Sequence, residues 1–284
     1  MKAKKFRSKK TAARVKNIAT YAILIIISLV WLIPFLILIL QSFNAKTGMS
    51  IKWSFTFDNY VKLFTETEFP RWYGNTLLVS VVVTVIQTVI VLMTSYALSR
   101  LRFKLRKPLM NLMLILGMFP GFLSMVAVYY LLKEVGLANV AGLIIVYSAS
   151  SAMQYYICKG FFDTIPKSLD EAARIDGASR HTIFLKIILP LAKPIIIYTI
   201  LTAFIAPWGE YMFSSYIALA SGRDESKFTV AYGMWYMLSD PESKARMFTV
   251  FCAAAVIVSI PITALFIWLQ RYYVEGITGG SVKG

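Results

Sequence analysis

The chain has 284 residues, 58% of them hydrophobic and 15% charged, with 30 Lys and Arg against 14 Asp and Glu. An ordinary soluble domain is about 45–50% apolar and about 25% charged, so one core of this size cannot hide the excess, and a disordered chain needs far lower hydrophobicity. A lone histidine, His181, and two cysteines, Cys158 and Cys252, set in apolar runs, are too few for a disulfide scaffold, a metal site or a Ser-His relay.

The excess apolar surface must face lipid. A bilayer core of about 30 Å takes roughly 20 helical residues. Residues 17–41, 72–99, 108–132, 135–158 and 247–270 contain no Asp, Glu, Lys or Arg, and 194–222 contains only Glu210. None alternates with the period of a barrel strand, and all are apolar around the whole helix. Pro34, Pro120, Pro207 and Pro261 fall inside these stretches, which lipid-embedded helices tolerate when neighbours satisfy the freed carbonyls. The basic segment 1–16 followed by an apolar run resembles a signal peptide. The run is too long for a typical h-region and no A-x-A-like site follows, so an uncleaved first span is expected.

With the N-terminus placed in the cytoplasm, the inner segments 1–16, 100–107, 159–193 and 271–284 carry 21 of the 30 basic residues, and the outer ones carry 9. This bias predicts six spans with both ends cytoplasmic. It also explains most of the net charge of +16 as topology, leaving lipid rather than nucleic acid as the surrounding partner. The expected fold is an all-α membrane protein of six transmembrane helices.

Segment 159–193 does not read as a plain connection. Ser168 and Glu171 have capping-box spacing, which predicts a helix over about 169–176. Gly177 suits the position after a helix end, where positive φ is cheap. Ser179 caps a second helix over 180–189, which Pro190 ends. The result is a helix–Gly–helix elbow between spans four and five. Ala172 and Ala173 keep one side thin, while Asp170, Arg174 and Asp176 offer polar contacts around it.

The wording of the elbow carries a resemblance. Glu171-Ala172-Ala173, three residues, Gly177, nine residues, Ile187, one residue, then Leu189-Pro190 is the full EAA motif. At average composition it arises by chance on the order of once in a million chains of this length. The chain therefore resembles the permease subunits of binding-protein-dependent ABC importers. Asn75-Thr76-Leu77, Tyr96-Ala97-Leu98-Ser99-Arg100, Phe161-Phe162 with Ile165-Pro166, and the tail Gly276-Ile277-Thr278-Gly279-Gly280-Ser281-Val282-Lys283-Gly284 are similar to the carbohydrate, maltose-type (MalG-like) branch. The similarity covers roughly 24–284.

The resemblance implies a basic cytoplasmic tail (1–17), one six-span permease domain (18–270) and a cytoplasmic C-terminal tail (271–284). The elbow, with Glu171, Ala172, Ala173, Arg174, Asp176, Gly177, Ile187, Leu189 and Pro190, would dock into a cytoplasmic ATPase. The partners it implies are a longer homologous permease (MalF-like), two ATPase subunits (MalK-like) and an extracytoplasmic sugar-binding protein. ATP and Mg would be used by the ATPases. This chain has no catalytic residues or cofactor of its own to expect, and neither G-x-x-x-x-G-K-[ST] nor G-x-G-x-x-G occurs in it.

Three features stay open. A charge such as Glu210 at mid-membrane costs about 2.5–3.5 kcal/mol on insertion scales, and such residues usually face a bundle interior or water. Glu210 either lines the sugar path with Trp208 and Tyr211, or pairs structurally with the partner permease or sits near the outer interface. In the external segment 221–246, the expected tip Leu238, Ser239, Asp240, Pro241 and Glu242 has turn chemistry; it either probes the binding protein or is a plain solvated loop. The tail, through Gly276, Thr278, Gly280 and Lys283, either reaches the ATPases or frays. Two other functions compete. A stand-alone secondary transporter or channel for a small polar solute would need its own coupling sites and often repeats. A membrane enzyme would need clustered acids, bases or ligands.

Overall fold

The computed structural model describes residues 2–46, 54–118, 121–149, 151–239 and 241–281, with side chains described between 16 and 270 apart from residue 122. Asp240 and Lys283 lie outside the described residues. The first half of the chain forms α1 (Lys2–Ser42), α2 (Asp58–Thr65), α3 (Phe69–Arg100), α4 (Arg106–Met118), α5 (Gly121–Glu134), α6 (Val140–Ala149) and α7 (Ala152–Thr164). The elbow follows as α8 (Lys167–Ile175), α9 (Arg180–Ile183), a π turn (Phe184–Ile188) and α10 (Leu189–Leu191). Then come α11 (Lys193–Ile205), a 3₁₀ turn (Ala206–Gly209), α12 (Met212–Ala220), a second 3₁₀ turn (Glu225–Lys227), α13 (Val230–Met237) and α14 (Pro241–Ser281). Among the described residues the β structure is one isolated antiparallel bridge, Asn44 to Phe55. The architecture is the all-α membrane class expected from the sequence.

Four stretches are long and apolar enough to cross a membrane: Lys16–Ser42, Phe69–Arg100, Val140–Thr164 and Pro241–Gln270. Two further spans are bent pairs, Arg106–Met118 with Leu123–Glu134 at 102° and Arg180–Leu191 with Lys193–Gly209 at 82°. Six straight rods are therefore not what the chain builds. The third predicted span, 108–132, divides between α4 and α5 where the sequence reads Pro120-Gly121, a pair of residues that ends helices readily. The fifth, 194–222, stops after a 3₁₀ turn containing Pro207, and Glu210 and Tyr211 separate it from α12.

α3 is the centre of the bundle. It packs against α6, α7, α11 and α13, while α14 packs against α1, α2, α11 and α13. α1 lies outside this core, and none of its most apolar window is buried. One apolar cluster gathers around Val91, Tyr96, Phe162, Ile183 and Ile188 at the C-terminal end of α3. Another gathers around Phe69, Trp72, Phe228 and Tyr232 at its N-terminal end. α3 thus runs between two packed ends, one at the elbow and one at the segment linking α12 to α14.

Candidate functional site

The elbow forms for local reasons, though not all those expected. Ser179 accepts the Thr182 N–H at 3.2 Å as the cap of α9, and Gly177 takes φ +80°, the left-handed value that glycine alone adopts without cost. The Ser168–Glu171 capping box does not form. α8 begins at Lys167 with Pro166 as its cap residue and no side-chain cap bond, so Ser168 lies inside the first turn. The second helix also runs further than predicted. It passes through the π turn, which holds Ile187, into α10, and Pro190 sits inside that short helix rather than ending it.

The two faces of α8 divide its residues. Glu171, Ala172, Arg174, Asp176 and Gly177 are exposed, as is Ile175 at 86%, a residue that the motif alone did not single out. Ala173, expected on the docking side, is buried in the apolar cluster of Tyr96, Phe162, Ile165 and Ile183. Ile187 and Leu189 pack against the same cluster, so they hold the elbow rather than face outward; Pro190 is exposed. Asp170 is also turned inward, and pairs with Arg100 instead of offering an outer contact.

That inward side is where Tyr96-Ala97-Leu98-Ser99-Arg100 acts. Tyr96 lies 4.6 Å from Phe184 and 6.4 Å from Phe162, centroid to centroid. Ser99 Oγ donates to Asp163 Oδ1 at 2.6 Å, and Lys159 Nζ holds Asp163 Oδ2 at 2.6 Å. Arg100 Nη2 donates to the Ile165 carbonyl at 2.8 Å. Its Nε lies 3.1 Å from Asp170 Oδ2, with the two side chains 1% and 6% exposed. Beside the pair opens a cleft of about 350 Å³ lined by cations that include Arg102, Arg106, Lys167, Arg174 and Arg180.

At the other end of α3, Asn75-Thr76 performs the matching task. Asn75 Nδ2 donates to the carbonyls of Ser226 and Phe228, each at 3.0 Å. Thr76 Oγ1 accepts the Val230 N–H at 2.8 Å, and Trp72 Nε1 donates to the Glu225 carbonyl at 2.8 Å. The segment held there is more ordered than a plain loop, because it contains α13. The expected tip also changes: Pro241 and Glu242 form the first turn of α14, leaving Leu238 and Ser239 in the short link before it. Ser239, Pro241 and Glu242 are exposed. α14 continues as helix past Gly276, Thr278 and Gly280.

Glu210 is resolved by its contacts. Its Oε1 accepts the Phe213 N–H at 2.7 Å, and Oε2 accepts both the N–H and the hydroxyl of Ser214 at 2.9 and 2.8 Å. The carboxylate caps α12, where free N–H groups and the helix dipole favour a negative charge. At 5% exposure it faces the interior of this chain, with both oxygens engaged by α12. Trp208 is buried between Phe204 and Tyr73. Tyr211 is half-buried and stacks 5.8 Å from Tyr232, with the Trp235 ring 5.3 Å away.

Comparison with known proteins fits this arrangement. Residues 90–279 match the family described as binding-protein-dependent transport system inner membrane component. The chain is 35% identical to the maltodextrin transport system permease protein MdxG of Bacillus subtilis, over 96% of this chain and 99% of that one. It is 37% identical to the galactooligosaccharides transport system permease protein GanQ of the same organism, over 81% of each. A crystal structure of a bacterial ABC transporter involved in the import of the acidic polysaccharide alginate superimposes with a TM-score of 0.59, at 17% identity, over 90% of this chain and 94% of that one. The chain belongs to the binding-protein-dependent transport system inner membrane component family, as a multi-pass membrane subunit.

Proposed function

We propose that this chain is the permease subunit of an ATP-driven importer of an oligosaccharide of the maltodextrin kind, forming half of the translocation pathway. The observation that carries the reading is the elbow. Its outer face, Glu171, Ala172, Arg174, Ile175, Asp176 and Gly177, is uncovered, while its inner face is fixed to α3 and α7. A short element with one bare face and one rigid face moves as a body and transmits force. In this reading an ATPase docks on the bare face, and ATP with Mg is used there and not by this chain. Both termini lie in the cytoplasm. A second homologous permease (MalF-like) completes the pore, a second ATPase (MalK-like) docks on that partner's elbow, and an external sugar-binding protein meets Leu238, Ser239, Pro241 and Glu242. The C-terminal residues Gly276, Thr278, Gly280 and Lys283 extend toward the ATPases. The maltodextrin and galactooligosaccharide names of the relatives support the substrate class.

Purifying the tagged chain from its host in mild detergent tests this. Recovery of a second permease and an ATPase is the expected result, with sugar uptake in liposomes dependent on ATP and a binding protein. A chain that stays alone and moves solute without ATP overturns it in favour of a stand-alone transporter or channel.

A further inference from the structure

We propose that α3 is the strut that links the external loop to the ATPase-docking elbow, with Arg100 and Asp170 as its positioning residues at the elbow and Trp72, Asn75 and Thr76 as its grip on the loop. The inference rests on the elbow being the docking site. Four observations carry it. α3 is 32 residues long with no interior proline or break after its first turn, which makes it a rod of about 48 Å. Other spans are less regular: α4 and α5 bend by 102°, the fifth span stops at Glu210, and α1 and α14 contain Pro34 and Pro261. The external grip consists of four hydrogen bonds to three side chains within little more than one turn of α3, at 2.8–3.0 Å. At the elbow, Arg100 reaches both the Ile165 carbonyl and Asp170, so the link between α7 and α8, and α8 itself, are held by one side chain.

The chemistry of the joint fits a positioning role better than a stabilising one. A buried ion pair costs both partners their hydration, and replacing it with apolar groups is often neutral or stabilising. Here the pair is one close contact between charges, without an aligned hydrogen bond: Arg100 Nε and Nη1 and Asp170 Oδ1 have no hydrogen-bond partner. What it does give is a fixed position for α8 relative to α3. When the ATPases close and α8 moves, α3 follows, and its far end shifts the loop that meets the binding protein. The same rod, read in reverse, carries arrival of the loaded binding protein to the ATPases, because a coupling free energy between two binding sites acts in both directions.

The test uses the complete reconstituted importer. Arg100→Gln with Asp170→Asn removes both charges, so neither is left buried and unpaired; Asn75→Ala loosens the far end. Each is expected to keep the ATPase bound and hydrolysing at its unstimulated rate, and to lose about fivefold or more of the stimulation by loaded binding protein. The combined variant is expected to be no worse than its weaker parent, as for two breaks in one rod. Retained stimulation in either variant, or losses that multiply, overturns the strut. Should the elbow variant not assemble, Asn75→Ala alone decides, since full stimulation there is incompatible with the proposal. Gly177→Trp separates the two readings. If it leaves the ATPase bound, the docking site is wrong; if it releases the ATPase while stimulation survives in the other variants, only the strut is wrong.

Discussion

Thr249 and Asn59 lie 190 residues apart in the chain, and Thr249 Oγ1 donates to Asn59 Oδ1 at 2.9 Å. Asn59 Nδ2 donates in turn to the carbonyls of Ser42 and Asn44, at 2.9 and 2.8 Å. One buried amide therefore ties the end of α1, the short α2 and the body of α14. Leaving such groups unpaired costs about 1–3 kcal/mol each. Asn59→Leu is expected to lower the thermal midpoint in detergent markedly and Thr249→Val to lower it less, because Val removes one of the three Asn59 side-chain bonds and Leu removes all three. Equal small shifts in both would deny Asn59 this role.

Glu210 gives a second prediction. Gln in its place keeps one carbonyl oxygen, and its NH₂ faces a backbone N–H that needs an acceptor. Charge-assisted bonds of this kind contribute about 1.5–3 kcal/mol. Glu210→Gln is expected to lower the thermal midpoint and leave the half-saturating sugar concentration unchanged in assembled importer. Ser214→Ala, which removes one donor and leaves the carboxylate on both N–H groups, is expected to cost about 1 kcal/mol. An altered sugar dependence at an unchanged midpoint would return Glu210 to the transport path.

What the sequence disclosed and what it hid divide by range. Ser179 and Gly177 were legible because cap and left-handed turn chemistry act over three or four residues. The burial of Ala173 is not legible locally, because the side that α8 buries is decided by Tyr96 and Phe162, far away in the chain. The Arg100–Asp170 pair joins residues 70 positions apart, and nothing local announces it. Glu210 read as an open question because an isolated carboxylate in an apolar run looks the same whether it meets a sugar or two backbone N–H groups. Ser239-Asp240-Pro241-Glu242 has turn composition, yet Pro in the first turn with an acidic residue beside it is equally the opening of a helix.

Two glycines separate backbone strain from crowding. At Gly177 an added Cβ meets nothing within 4 Å and φ is +80°, so Gly177→Ala costs backbone strain alone, about 1–2 kcal/mol. Gly177→Asn should cost less, since Asn tolerates that region. At Gly233 φ is ordinary, but a Cβ would run into the Trp72 indole ring. Gly233→Ala must push the indole off the Glu225 carbonyl, and overpacking of this kind costs about 1–3 kcal/mol. The expected outcome is a lower midpoint for Gly233→Ala that Trp72→Leu in the same chain partly restores. No restoration would place the strain somewhere other than that ring.

Charge and the Arg100 contact together predict the orientation in the membrane. The basic segment 100–107 and the elbow lie at the same end of the bundle, because Arg100 touches Ile165 and Asp170. Of the 30 basic residues, 21 fall in segments assigned to that side, which the positive-inside rule predicts to be cytoplasmic. Lys104 and Lys244 are both exposed, one at each end, and the native thiols Cys158 and Cys252 are buried at 1% and 2%, so they stay silent to a polar reagent. Lys104→Cys is expected to react with a membrane-impermeant maleimide only after the cells are opened, and Lys244→Cys to react in intact cells once the outer barrier is permeable. Labelling of position 104 from outside would reverse the topology and, with it, remove the elbow from reach of any cytoplasmic ATPase.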